Sequence, residues 1–109
     1  MNLNAHFELS EFLLSQTAAR LGRAIEPTEA DIRNLTRLCV TVLEPLRIEL
    51  RRSIHVTSGL RHAWLNAAIG GSKTSAHMDG RAADIVVPGI PPADVCRMVK
   101  SIGLPVDQC

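Results

Sequence analysis

His77 and Asp84 stand seven residues apart in "SAHMDGRAAD", with Gly80 between them. An imidazole nitrogen and a carboxylate oxygen together suit Zn²⁺. A helix would place i and i+7 on one face. Gly80 and the β-branched run after Asp84 argue against a helix here. The spacing predicts instead a loop carrying His77 that folds over the start of a strand carrying Asp84, with the glycine providing the turn. Ala82, Ala83, Ile85, Val86 and Val87 make that strand, residues 82–87, read as buried. A carboxylate ionised among aliphatic side chains is strongly disfavoured unless something neutralises it. A bound cation would do so. So would a hydrogen bond from His77 without metal, or a salt bridge to Arg81 or Arg61. The residues alone leave these open, and two ligands are too few for a catalytic zinc, which takes three protein ligands and a water.

The elements that must position this pair belong to a small protein. With 109 residues the chain suits one domain spanning 1–109. Nearly half of it is apolar but aromatics are scarce, so the core must rest on Leu, Ile, Val and Ala. Twelve basic and 11 acidic residues leave a net charge of +1, which gives no electrostatic case for nucleic acid or an anionic membrane as partner. No apolar run approaches the ~20 residues of a membrane span. The opening "MNLNAHFELSEFLLSQ" has neither a basic n-region nor a clean apolar h-region, so synthesis in a cytoplasm without a signal peptide is expected. Cys39, Cys96 and Cys109 form no disulfide framework and no C-x-x-C pair, and reduced thiols are expected.

Ser10 reads as the N-cap of a first helix ending at Gly22. Thr28 starts a long helix with Asp31 in a capping box. Its apolar stripe runs Ile32, Leu35, Cys39, Val42, Leu43, Leu46 and Leu50, and Pro45 should kink or split it. "SIHVTSG" alternates as a short strand, "RHAWLNAAIGG" as a short helix, and 72–81 as loop. A last helix starts near Pro92, buries Val95, Met98, Val99 and Ile102, and stops before Gly103. Leu104, Val106 and Cys109 alternate like the start of a third strand. The class is therefore α+β, a small antiparallel sheet packed with helices, with its last strand incomplete.

"SAHMDGRAAD" resembles the S-x-H-x-x-G-x-A-x-D signature of the zinc D-alanyl-D-alanine carboxypeptidases and dipeptidases, peptidoglycan peptidases that share a fold with the Hedgehog signalling domain. "VTSGLR" is similar to that family's strand-turn segment ending in arginine. "LNAAIGGSKTSAH", "EPLR" and "ELSEF" resemble its small phage-type members. The resemblance implies His77 and Asp84 as zinc ligands and zinc as cofactor. It implies Arg61 as the active-site arginine that steadies substrate or transition-state charge, a task suited to a planar, permanently charged fork. Ser75 matches the signature serine, which hydrogen-bonds near substrate or orients the loop.

The same resemblance implies a glutamate base and a third ligand, a histidine on a C-terminal strand. The chain reads as cut short of both at Cys109. His6, His55 and His62 are poor substitutes by position, and Glu8, Glu11 and Glu44 read as helix or cap residues. Weak zinc binding and impaired hydrolysis are therefore expected of this chain. The substrate implied is the stem peptide of the bacterial wall, reached on release from a phage or prophage host. A non-catalytic wall- or protein-binding module on the same fold is the alternative. An unfinished sheet edge at 104–109 would invite a homodimer.

Overall fold

A proline inside an apolar stripe and a capping box at its start set the longest element of the chain. In a computed structural model, which describes residues 1–71 and 75–103, Thr28 caps helix α2 (Glu29–Leu38) as its sequence predicts. The Thr28 Oγ1 accepts from the Asp31 amide at 3.1 Å and the Asp31 carboxylate accepts from the Thr28 amide at 2.9 Å. Removing one arm of such a box costs about 1 kcal/mol. Thr28→Ala should therefore lower the unfolding free energy by that amount, read from urea denaturation.

Pro45 splits the stripe as expected. It has no N–H for a helical bond, and its ring would strike the carbonyl of Thr41 in an unbroken α-helix. The backbone responds with a π-turn, Cys39–Leu43, in which the Glu44 amide donates to Cys39 O, before α3 (Glu44–Leu50) resumes. Leu35, Cys39 and Leu46 on the stripe are fully buried.

The first helix is not as its sequence suggests. Leu9–Phe12 is a 3-10 turn, and α1 is short, Gln16–Arg20, capped by Ser15 rather than Ser10. The reason is Phe12. Its ring is buried 6.5 Å from that of Phe7, and its carbonyl accepts from the Leu60 amide at 2.8 Å, a bond that a continuous helix would have used internally. Gly22 follows α1 at φ +66°.

Strand β1 (His55–Ser58) pairs antiparallel with β2 (Asp84–Val86), with His55 opposite Val86, Val56 opposite Ile85, and Ser58 opposite Asp84 after an irregularity. The strand expected over 82–87 is thus shorter, and it is not buried. The Asp84 side chain is 62% exposed, because β2 opens with Asp84 at the rim and gives only Ile85 partial cover. Burial therefore demands no counter-ion for Asp84. Between the strands lie α4 (Ala63–Ala68) and a 3-10 turn, Ala76–Asp79, where loop was expected; residues 72–74 lie outside the described residues. Helix α5 (Pro92–Ser101) buries Val95 and Val99 and partly covers Met98 and Ile102, with Gly103 at φ +72° beyond it. The architecture is α+β. The third strand, the sheet edge and its dimer fall on 104–109, outside the described residues. No helix among the described residues is long and apolar enough to cross a membrane.

Cys39 is free and buried, whereas Cys96 is disulfide-bonded, which corrects the expectation of reduced thiols throughout. Burial, aided by Glu11 and Glu44, pushes the Cys39 thiol up from 9.0 to about 12. The unfolded thiol loses its proton first as pH rises, so this contribution to stability is complete below pH 9.0 and lost toward 12. Iodoacetamide at pH 9 should leave Cys39 unlabelled in the native protein and label it in urea, as mapped by peptide mass spectrometry.

Candidate functional site

Gly80 takes φ +78°, and a β-carbon there would stand 2.8 Å from the Asp31 carbonyl and 3.1 Å from Leu35. Only glycine lets the turn carrying His77 press this closely on α2. Asn34 of α2 adds a hydrogen bond from its side-chain amide to Asp79 O at 2.8 Å. At the turn's start Ser75 is the cap, its Oγ accepting from the His77 amide at 3.3 Å. The far side is held by the segment after β1: the Arg61 amide donates to His77 O at 2.8 Å.

His77 is buried, and its Nδ1 lies 2.8 Å from Gly59 O. A carbonyl can only accept, so Nδ1 carries the proton. In the neutral ring Nε2 is then a bare lone pair. That nitrogen faces Asp84 Oδ1 at 3.6 Å, too far for a direct hydrogen bond. Two acceptors confront each other with no proton between them, and either a protonated imidazole or a cation reconciles them. Zinc fits the gap: bonds of about 2.1 Å in tetrahedral array hold two donors about 3.4 Å apart. A carbonyl accepting from the remote ring nitrogen is also how metal-bound histidines are held. Among the described residues no group of three or more His, Cys, Asp and Glu side chains gathers, so His77 and Asp84 supply two donors.

Arg61 reaches Ser75 Oγ with Nη2 at 3.5 Å, while its Nε is buried with no hydrogen-bond partner. Arg81 binds Asp79 on its own turn at 2.8 Å. His6 pairs with Glu44 at 2.6 Å, and His62 Nε2 accepts from the Glu26 amide at 3.0 Å. His55 is exposed on β1. The Glu8 amide donates to the Glu11 carboxylate at 2.7 Å at the 3-10 turn. Two further residues carry the geometry. Gly59 supplies the carbonyl that sets the His77 tautomer, and Asn34 ties the His77 turn to α2. "SGLR" marks Gly59 only as a strand end, and nothing local marks Asn34.

Beside this site lies a groove of ≈ 630 Å³, bounded by the start of α1, by β1, by Leu60 and Arg61, and by Leu65 and Ile69. It adjoins the His77–Asp84 pair through Arg61 and Ser58 and does not contain it.

Residues 5–105 match the family model described as Peptidase M15. No curated protein and no solved structure gives a match.

Proposed function

The chain belongs to the peptidase M15 family, whose members are metallopeptidases and generally zinc-dependent, and from this premise we propose that it is a zinc peptidase domain for stem peptides of the bacterial cell wall, with His77 and Asp84 as two of the zinc's ligands. The observation that supports the reading most is the tautomer lock: Gly59 O accepts a hydrogen bond from Nδ1–H and leaves Nε2 aimed at Asp84. D-Alanyl-D-alanine carboxypeptidase and endolysin-type cleavage are the two forms of the activity that the signature favours.

When bound, zinc would polarise the scissile carbonyl and acidify a water. The chain's own residues do the rest of what the described geometry allows. Gly59 and the Arg61 amide keep His77 in place, one at the ring and the other at the backbone carbonyl. Arg61 offers a permanently charged guanidinium at the edge of the groove, suited to the oxygen on which negative charge develops. Ser75 caps the turn and meets Arg61, so loop and guanidinium are set together. The protein would be made in the cytoplasm and meet its substrate on release, as in phage lysis.

Metal analysis and digestion of purified peptidoglycan test this. Weak zinc binding, with slow release of soluble peptide that stops on chelation, is expected. Retention on the wall without any cleavage at saturating zinc would favour the binding-module alternative and overturn the peptidase reading.

A further inference from the structure

The groove beside the metal pair has a size and lining that specify an occupant. At ≈ 630 Å³ it falls within the roughly 300–1,000 Å³ of small-ligand clefts, large enough for a few residues of peptide. Its base includes the buried Leu60 and Leu65, while Leu14 and Ile69 at its rim are held 70% and 44% exposed. Val56 to Ser58 of β1 also line it, and β2 is the one strand paired with β1 among the described residues. An extended peptide can hydrogen-bond to a strand edge of this kind.

The groove also has a polar end. Arg61 lines it, and a guanidinium is a permanently charged group with donors and no acceptor. Such a group at the end of a cleft suits a carbonyl or carboxylate oxygen from a ligand. Continuity with the metal pair is direct. The Arg61 amide holds His77 O, and Ser58 is Asp84's partner in the sheet register.

We infer that this groove is a specificity site for the substrate: an extended peptide lies along β1, with an aliphatic side chain seated between Leu14 and Ile69 and a main-chain oxygen on Arg61. The inference rests on the peptidase reading. Leu14, Ile69 and the exposed Ala19 thereby become specificity-determining residues at a distance from the metal ligands.

Amide NMR titration with N-acetyl-tetraalanine and N-acetyl-tetraserine at millimolar concentration tests it, with zinc binding followed by calorimetry on the same samples. Tetraalanine should shift the amides of Val56 to Ser58 and Ile69, and tetraserine should bind at least about tenfold more weakly, the low end of what one aliphatic group contributes in an apolar site. Leu14→Asp, which blocks the apolar rim, and Ala19→Trp, which fills the cleft, should each remove the tetraalanine shifts while zinc binding persists. Both positions are exposed, so both variants keep the fold. Equal shifts from the two peptides, or unmoved amides in a protein that binds zinc, would overturn the groove assignment. Tetraalanine binding in a protein that takes up no zinc would uphold the groove and sink the peptidase reading instead.

Discussion

Replacing His77 by alanine should lower zinc affinity more than about 100-fold and take wall-peptide release to background, while the protein stays folded. The magnitude follows from comparison with weaker lesions. Removing a residue that merely orients a ligand costs roughly 10–100-fold in metal affinity or activity, so deleting the ligand itself must exceed that range. The fold survives because the lost side chain gives up one hydrogen bond, that from Nδ1 to Gly59 O, worth about 1 kcal/mol net. The turn keeps its other ties: the Ser75 cap, the Asn34 bond and the His77 carbonyl bond to the Arg61 amide are all made without the imidazole. Calorimetry gives the zinc affinity and thermal unfolding gives the fold. Undiminished zinc binding by His77→Ala would refute the assignment.

Gly59→Ala should be strongly destabilising for a single added methyl at the site. An alanine β-carbon there would lie 2.6 Å from both the Cα and the carbonyl oxygen of Phe12, and 2.7 Å from its Cβ. These are main-chain atoms or atoms fixed to the main chain, so no rotamer change relieves the clash. Either the Leu60–Phe12 hydrogen bond opens or Phe12 leaves its fully buried position. Overpacking of this kind costs about 3 kcal/mol, the upper end of its usual range. Gly70→Ala is the control. Gly70 sits at φ +72° with nothing within 4 Å, so an alanine there suffers only left-handed backbone strain, about 1–2 kcal/mol. Urea denaturation should rank the two in that order. Gly59→Ala should also weaken zinc binding, since the shifted carbonyl no longer fixes His77, whereas Gly70→Ala should leave it unchanged.

These two glycines also show where sequence reasoning stops. Features governed by neighbours within a turn or two are legible: the Thr28–Asp31 box, the break at Pro45, the short strand at His55–Ser58 and the Pro92 start of α5 all follow from local chemistry. The convergence of His77 on Asp84 across Gly80 is legible for the same reason, as a short loop returning to a strand. What decides the tautomer of His77 is a carbonyl 18 positions upstream, and no periodicity reports such a bond. The first helix is misread because Phe12 spends its carbonyl on Leu60, 48 positions away in "SGLR". The burial of Asp84 is misread because a run of aliphatic residues looks the same in the middle of a sheet and at the exposed rim of a strand. Asn34 is invisible in the sequence, being one polar residue on a helix, until the turn it holds is packed against it.

The most direct measurement is the ¹⁵N chemical shift of the two His77 ring nitrogens, recorded without and with zinc in wild type and in Asp84→Ala. Nδ1 should stay protonated in both states, with a large zinc-induced shift confined to Nε2 in the wild type and lost or much weakened when the Asp84 carboxylate is removed. A His77 ring that ignores saturating zinc, or that binds it through Nδ1 with the Gly59 bond broken, would contradict this assignment.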